Sequence, residues 1–455
     1  MGSLASVMDS SLSAMFAAQA GLATTAHNIG NADTAGYTRQ TMLAAARKPL
    51  VFSFGSIGQG VNVVSVRRSQ DQFLLNTLRS QRAKLENYTS IDSTLYEIEN
   101  ILGSVDNDHL GAALNEFFGA WADLATPPAD SALKQQVISK AISLVTDFNS
   151  ISATLDDLER NIEAQVGEEL ISLNSLLAQV GGLNSQIMYA EIGGQPANDL
   201  RDQRDLLISE ISAIAAVTVR EREDGSLDVI INGRTMVNRG NYQQFTTTYR
   251  ETSQGYRMVV VTEGTYAEVQ LPEGRLQGLL TSRDVYVTNV RNQLDDVARL
   301  LINAVNELHV QGQTGSSSGL MFFTGNSMHT IEVNPTLIDR PELVATSRSG
   351  DAGDADIAQE IAALADTSAL GTGLTISDRY RSTLIDLASK RHSFEFLVEN
   401  QERSVAAVES KIASVTGVSL DEEAASMVRY QNTYAAAAKM IATVQTVFDS
   451  LINMI

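Results

Sequence analysis

Gly315-Ser316-Ser317-Ser318-Gly319 is the stretch of this chain whose spacing most resembles a catalytic motif. Two glycines around a central serine form the nucleophile elbow of serine hydrolases, in which a strand precedes the serine and a helix follows it. Here a predicted helix and a Gly/Gln/Thr loop precede the motif instead. We therefore predict a flexible loop, with nucleophilic attack by Ser317 kept as an alternative.

Two clusters of charged residues could bind a metal ion or act as acid and base. The segment Asp351 to Asp356 resembles part of a calcium loop, but it lacks the acidic residue required at the twelfth position, so we interpret it as a helix cap. In the second cluster, Asn198 is expected to cap a helix. Arg201 and Asp205 lie four residues apart on that helix, which favours an ion pair over a catalytic carboxylate pair.

The remaining chemistry-bearing residues show no functional spacing. The histidines are His27, His109, His309, His329 and His392. Their positions do not match a zinc-binding pattern, and no glycine loop followed by lysine is present to bind phosphate. The sequence therefore predicts no catalytic, cofactor or metal site, and a protein that is not an enzyme.

Composition limits the partners of this chain. It has 455 residues, a formal charge of −21 and no cysteine, which excludes disulfides and thiol nucleophiles. The first 100 residues carry eight Lys/Arg and seven Asp/Glu, so the remainder carries −22. Nucleic acid and anionic membranes require clusters of basic residues, so we expect neither as a partner. No window approaches the apolar length of a membrane span, and no basic residue precedes Arg39, so no Sec-type signal is expected.

Both ends of the chain carry apolar residues in a heptad pattern, which is typical of helices that pack side by side. In the first segment the pattern consists of Met1, Ala5, Met8, Leu12, Met15, Gln19, Leu22, Ala26 and Ile29. In the last segment it consists of Leu420, Ala424, Met427, Gln431, Tyr434, Ala438, Ile441, Gln445, Phe448, Ile452 and Ile455. We call these two sets the apolar seams, and we expect neighbouring subunits to cover them. The alternative is that both helices pack on one compact core.

The elements between the seams predict a mainly α chain with an inserted small β domain. Glycine and Asx residues should end the first helix near Asn31, and Asp224-Gly225 and Asn232-Gly233 should form turns between strands. The predicted segments are an axial helix and turn at 1–40, an extended linker with strand character at 41–75, helices at 76–216, a β domain at 217–275, helices at 276–416 and an axial helix at 417–455.

Residues Asn28 to Gln40 resemble the amino-terminal signature of flagellar rod, hook and hook-associated proteins, with Ala35 in place of the usual proline. Further blocks are similar to the FlgK family of hook-associated proteins. These blocks are Gly58 to Val61, Val66 to Arg68, Ala120 to Ala125, Asn198 to Asp205, Val305 to His309 and Gly417 to Glu423.

The resemblance implies a secreted structural subunit at the hook–filament junction of the bacterial flagellum, exported through the flagellar type III channel. It implies a coiled-coil axial domain of terminal helices, a long helical-bundle second domain and an outer β domain. The implied partners are a homo-oligomeric ring, the hook protein, the downstream hook-associated junction protein and a cytoplasmic chaperone that holds the carboxy-terminal segment. No cofactor is implied. The alternatives are a hook or rod subunit, or a secreted hydrolase on a flagellar-type scaffold.

On this interpretation the subunit interface includes residues of both seams together with four residues of the signature turn. The seam residues expected there are Met8, Leu12, Met15, Leu22, Ile29, Leu420, Met427, Tyr434, Ile441, Phe448 and Ile452. The turn residues are Asn28, Asn31, Gly36 and Tyr37.

Overall fold

The computed structural model describes residues 2–53, 55–103, 109–252, 255–314, 317–351, 353–368 and 373–452. The residues named above that lie outside these ranges are Met1, Gly315, Ser316 and Ile455, and residue 352 of the segment Asp351 to Asp356 also lies outside them. Most described residues are helical, and the strands form small antiparallel sheets. The predicted class, mainly α with a small β part, is therefore confirmed.

The helices are long because few glycines or prolines interrupt their apolar periodicity. Those of the described residues are α1 (Gly2–Gly30), α2 (Gln72–Leu102), α3 (His109–Leu124), α4 (Ser131–Ala190), α5 (Asn198–Ile214), α6 (Arg275–Thr281), α7 (Thr288–His309), α8 (Pro335–Asp339), α9 (Asp356–Ala363), α10 (Ile376–Thr416) and α11 (Leu420–Ile452). Glu191–Gly193 and Pro341–Leu343 are 3₁₀-helical, and Ser282–Val287 forms a π-helical segment between α6 and α7.

The strands are short and pair only with antiparallel neighbours. They are β1 (Gln40–Ala46), β2 (Leu50–Phe52), β3 (Gly55–Ile57), β4 (Val61–Arg68), β5 (Thr218–Glu221), β6 (Leu227–Ile231), β7 (Arg234–Asn238), β8 (Asn241–Tyr242), β9 (Phe245–Thr252), β10 (Gly255–Thr262), β11 (Gln313–Thr314), β12 (Ser317–Ser318), β13 (Phe323–Thr324) and β14 (Glu332–Val333). One sheet has four strands in the order β5-β6-β7-β8.

The chain forms two compact units. The first comprises Met1–Leu85, Glu169–Gly274 and Gln401–Ile455, and the second comprises Glu86–Glu168 and Arg275–Asn400. The first unit thus contains both terminal helices, β1 to β4 and the β region between α5 and α6. The second contains α3 and the elements from α6 to α9.

One long β-hairpin occupies residues 40–68 of the first unit, in the region where the sequence predicted an extended linker with strand character at 41–75. β1 pairs with β4 and β2 pairs with β3. The register shifts at a bulge between Leu43 and Ala44, and beyond it Ala46 faces Val61 and Leu50 faces Ile57. Pro49 interrupts the ladder because it has no N–H to donate. The two ends of this segment therefore lie side by side at the base of the hairpin.

The β region between α5 and α6 packs against α4. Val229 and Ile231 are fully buried in its four-stranded sheet. The side-chain amide of Asn184 in α4 donates to the backbone oxygen of Leu227 at 2.8 Å and thereby anchors the sheet. The turn at Asn232-Gly233 has φ angles of 46° and 75°, the left-handed conformation of a two-residue hairpin turn, so this predicted turn is confirmed.

An aromatic cluster forms part of the core of the second unit. Phe117 and Trp121 of α3 contact Phe322, with ring centroids 5.9 and 5.5 Å apart, and all three rings are fully buried. His309 at the end of α7 lies in the same cluster, and its ring centroid is 6.1 Å from that of Trp121. Tilted and edge-on aromatic pairs of this kind add to the stabilisation from apolar burial.

The hydrogen bonds of His309 define it as a neutral imidazole. Its Nδ1 lies against the backbone oxygen of Leu320 and donates to it, while its Nε2 accepts from the backbone N–H of Ala345 at 3.0 Å. Burial lowers the pKa of His309 to about 4. This histidine is therefore a satisfied core residue.

Candidate functional site in the terminal helices

The terminal helices α1 and α11 pack against each other in antiparallel orientation. Asn28 hydrogen-bonds Glu423, and seven residues earlier in α1 Gly21 lies against the ring of Tyr430, seven residues later in α11. A methyl group on Gly21 would sit 2.6 Å from that ring. The absence of a side chain at Gly21 therefore permits the close approach of the two helices.

Small and polar residues, and not the apolar seam, form the buried face of α1. Its buried positions are Ser11, Ser13, Ala17, Ala18, Gly21, Thr25 and Asn28. The buried positions of α11 are Glu423, Ala437 and Val444, separated by multiples of seven residues. At 3.6 residues per turn, the apolar seam of α1 lies roughly 120° around the helix from the stripe of small residues. The contact within one chain therefore leaves the seam on a different face.

The apolar seams remain partly uncovered within the described chain. The exposed seam residues of the predicted interface are Met8, Leu12, Leu420, Tyr434 and Ile452. The half-buried residues are Met15, Leu22, Ile29, Met427, Ile441 and Phe448. Ile452 is 68% exposed, although water is an unfavourable environment for a side chain of its size. Each helix thus presents an apolar stripe that the fold of a single chain does not bury.

Asn28 fixes the turn that follows α1. Its side-chain amide donates to the backbone oxygen of Gln40 at 2.9 Å and to Glu423 at 3.1 Å. Its side-chain oxygen accepts from the Tyr37 hydroxyl at 2.7 Å and from the backbone N–H of Gln40 at 2.9 Å. Burial raises the pKa of Tyr37 and neighbouring carboxylates raise it further, so the hydroxyl keeps its proton as a donor. The hydrogen-bonding capacity of Asn28 is fully used.

Asn31 and Gly36 complete the same turn. The amide of Asn31 donates to the backbone oxygen of His27 at 3.0 Å, and the His27 imidazole lies 3.2 Å from Asp199. Gly36 has a φ of 77°, which glycine adopts without steric cost. The turn residues therefore hold the turn within one chain, and their role between subunits stays a prediction.

Glu423 ties α11 to this turn. Its side chain is 3% exposed and accepts from the Arg39 Nε at 2.7 Å, besides its bond from Asn28. The Nη1 of Arg39 also donates to Glu422 at 2.8 Å, but that side chain is 63% exposed. Sequence reasoning missed Glu423, because an acidic residue in the first turn of a helix is expected to face solvent near the helix dipole.

We expect Glu423→Gln to lower the local stability of α11 by about 2 kcal/mol, because it weakens charge-assisted hydrogen bonds in a buried setting. Hydrogen–deuterium exchange of peptides from α11 should then be about thirty-fold faster. Glu422→Gln is the matched control, and its effect should stay below about 0.5 kcal/mol because that ion pair is exposed. Equal effects of the two substitutions would contradict this assignment.

A buried ion-pair network joins α5 to the hairpin. The Arg68 side chain is 4% exposed and donates to Asp202 at 2.7 Å and to Asp205 at 2.8 Å. Asp202 also accepts from the hydroxyl and the backbone N–H of Thr38 at 2.6 and 3.0 Å. Arg79 of α2 reaches Asp205 at 3.2 Å. Burial raises the pKa of Asp202, although the hydrogen bonds from Thr38 and Arg68 act in the opposite direction.

The prediction that Arg201 pairs with Asp205 was wrong. The guanidinium of Arg201 donates to Glu191 at 2.6 Å and also to Glu221. Asp205 instead pairs with the hairpin and α2, as described above. Each side chain finds a partner on another element, and that tertiary contact outweighs the helix spacing.

The prediction that Asn198 caps α5 was also wrong. Asn198 is the first residue of the helix, and the N-cap position belongs to Ala197, which has no side-chain hydrogen bond. The amide of Asn198 donates to the side-chain oxygen of Gln40 at 3.1 Å and to the backbone oxygen of Val66 at 2.9 Å. Its role is to hold the base of the hairpin.

The alternative in which Ser317 is a catalytic nucleophile requires a strand, the serine and a helix in direct succession, and the described structure does not have this arrangement. Ser317 lies in β12, which pairs with β11 in a two-residue ladder, and the next helix in the described chain, α8, begins only at Pro335. In the segment Asp351 to Asp356, Asp356 begins α9 and pairs with Arg348 at 2.8 Å. No group of three or more His, Asp or Glu among the described residues is arranged to hold a metal ion.

One helical stretch, Ile376–Ile452, contains an 18-residue window with a mean hydropathy of 1.2 and at most two charged residues. The prediction that no window approaches the length of a membrane span was therefore too strong. The charged residues of α10 place this window in α11, and 11% of it is buried. A single helix that passes a test of length and composition is weak evidence for a membrane span.

Three family models match the chain. The model described as the flagellar hook-associated protein FlgK helical domain matches residues 95–323. The model of the flagella basal body rod protein matches residues 8–38, and that of the flagellar basal body rod FlgEFG protein C-terminal matches residues 411–454. The last two matches cover most of α1 with its turn, and α11.

Curated relatives named flagellar hook-associated protein 1 match nearly the whole chain. The protein of Salmonella typhimurium is 25% identical over 553 aligned positions, which cover 99% of this chain and 100% of the relative. That of Bacillus subtilis is 28% identical over 488 positions, which cover 97% of this chain and 96% of the relative. Both alignments exceed the 455 residues of this chain, so both relatives contain segments that it lacks.

The structure of the flagellar hook junction protein FlgK from Burkholderia pseudomallei matches with a TM-score of 0.66 and 13% identity, over 75% of this chain and 100% of that chain. This likeness supports the fold. The helical-domain model spans half of the chain, and the signature turn and the helix that packs on it match rod-protein models. The resemblance seen in the sequence is thus confirmed, and the chain belongs to the FlgK family of flagellar hook-associated proteins.

Proposed function

We propose that this chain is a structural subunit that joins the flagellar hook to the filament and assembles with its neighbours through α1 and α11. The observation that carries the proposal is the pair of uncovered apolar seams, with Met8, Leu12, Leu420, Tyr434 and Ile452 exposed. The location follows from relatives named flagellar hook-associated protein 1 and from a FlgK titled a flagellar hook junction protein. The proposal includes no catalytic step.

Burial of the seams provides the energy of assembly. A Leu, Ile or Met side chain that is fully transferred from water into an apolar contact contributes about 1.5–3 kcal/mol. A seam residue such as Leu12, which is 37% exposed, contributes the corresponding fraction of that value. The small-residue stripe already joins α1 to α11 within each copy, so the exposed residues of the seams can contact neighbouring copies. Asn28, Arg39 and Glu423 fix the base of the helix pair and thereby set the direction in which the seams are presented.

The proposed partners are proteins that would contact the exposed seam residues of α1 and α11. Identical copies form a ring, the hook protein lies on one side of it, and the downstream hook-associated junction protein lies on the other. Before export through the flagellar type III channel, a cytoplasmic chaperone covers the exposed apolar residues of α11. A hook or rod subunit is the less favoured alternative, because the family model that matches residues 95–323 is that of the FlgK helical domain.

Leu12→Asp in the native organism should give hooks without filaments, with the filament protein released into the medium. The fold of the single chain should be retained, because Leu12 is 37% exposed and a carboxylate at this position can be hydrated. Electron microscopy of flagella measures the effect, and immunoblots of the medium verify that the variant is exported. Deletion of 420–455 should give the same phenotype or block export.

Ile171→Asp is the matched control, because Ile171 is an exposed apolar residue of α4, outside the terminal helices. This variant should keep normal filaments. Normal filaments in the Leu12→Asp strain and in the deletion strain would refute assembly through the terminal helices.

A further inference from the structure

The tip of the hairpin is an exposed apolar surface. Every residue of β2 and β3 is exposed, and Val51 is 81% exposed. The apolar residues of the tip are Leu50, Val51, Phe52 and Ile57. Apolar side chains in a row of this kind are typical of interaction surfaces, because isolated chains gain nothing from exposing them.

The body of the hairpin is anchored to α1 and α5, so the fold sets the direction in which the hairpin extends. The backbone N–H of Val61 donates to Ser13 at 3.1 Å, and a methyl group on Gly60 would lie 2.1 Å from the same hydroxyl. At the base, Arg68 is held by the carboxylates of α5. A surface that is ordered before binding loses little conformational entropy when it docks.

The hairpin is basic in an acidic protein. Residues 34–70 contain five Lys/Arg and no Asp/Glu, and since the whole chain carries −21, the remainder carries −26. Arg39 and Arg68 are engaged by carboxylates of the same chain. Arg47 and Lys48, next to the tip, are exposed and have no ion pair with any residue that the structure describes.

We propose that the hairpin tip, with Arg47 and Lys48, docks on an acidic surface of a second copy of this chain. This inference rests on the proposed function, since it names a second contact between the same subunits. Charge complementarity selects the occupant: copies that each carry −21 repel one another, and a basic tip on each copy offsets that repulsion at the contact. Burial of the apolar residues of the tip stabilises the contact, and the attraction between the basic pair and the acidic surface orients the two copies.

A photo-reactive amino acid at position 51 of the full chain tests the contact in assembled flagella. We expect a covalent dimer of the chain, with the cross-linked peptide of the partner copy rich in Asp and Glu. The same probe at Tyr256, which lies on β10 and is 73% exposed, should give at least about tenfold less dimer. Cross-linking to a different protein, or no cross-link in assembled flagella, would overturn the proposal.

Charge reversal tests the basic pair. Arg47→Glu combined with Lys48→Glu should lower the yield of the position 51 dimer at least about tenfold, while Arg47→Lys combined with Lys48→Arg should preserve it. Circular dichroism should show the same fold for both. An unchanged yield after charge reversal would overturn the role of charge. If the position 51 strain forms normal filaments but gives no dimer, only this inference is refuted. If the chain is absent from flagella, the proposed function is refuted as well.

Discussion

Asp202→Ala is expected to lower the free energy of unfolding of the first unit by about 3–4 kcal/mol. The substitution leaves buried Arg68 with Asp205 as its remaining acidic partner, and it leaves the hydroxyl and N–H of Thr38 without their acceptor. Removal of one partner from a buried ion pair costs about 3–5 kcal/mol, because the other charge stays buried. Urea denaturation followed by far-ultraviolet circular dichroism measures the loss, and hydrogen exchange in α5 and the hairpin assigns it to the first unit.

Two further variants separate charge from position. Asp202→Asn retains an oxygen acceptor for Thr38 but loses the negative charge, so we expect about half of the loss, about 1.5–2 kcal/mol. Asp199→Ala removes a carboxylate of the same helix that is 61% exposed, and its effect should be below about 1 kcal/mol. If Asp199→Ala destabilised the unit as much as Asp202→Ala, burial of the network would not explain the importance of Asp202.

The second unit is expected to lose about 3 kcal/mol of stability between pH 6.5 and pH 4 through His309 alone. Burial lowers the pKa of His309 from 6.5 to about 4. Below pH 6.5 the unfolded chain binds a proton that the folded chain does not bind. The contribution of the neutral histidine is therefore complete above pH 6.5 and is lost as the pH falls to about 4.

His309→Gln provides the reference, because glutamine has a donor and an acceptor but does not titrate. The difference in unfolding free energy between the parent chain and this variant should shrink by about 3 kcal/mol from about pH 7.5 to about pH 4. Trp121 lies in the same cluster and is the sole tryptophan, so its fluorescence reports on the second unit. His392→Gln replaces a histidine that is exposed and is the matched control, and at about pH 7.5 its unfolding free energy should stay close to that of the parent chain. A pH-independent difference for His309→Gln would contradict the prediction.

Local features of the fold were predictable because they depend on a few neighbouring residues. The glycine and Asx residues after Ile29 end α1 at Gly30, and Asn232-Gly233 forms its turn, since both depend on the backbone preferences of those residues. The partners of charged side chains were not predictable. Glu423 and Asn28 are 395 positions apart in the chain, and no spacing rule relates them.

The sequence by itself determined the family and the presence of two apolar seams, because the signature turn and the heptad pattern are contained in short stretches of chain. Only the tertiary structure decided which face of each terminal helix is used within the molecule. The face of α1 that meets α11 carries small residues such as Ala18 and Gly21, because these allow the backbones to approach closely, whereas Met8 and Leu12 would hold the helices apart. Hydrophobicity alone does not indicate how closely two helices approach. The apolar seams were therefore visible in the sequence, but it could not be predicted that the contact within one chain would leave them partly exposed.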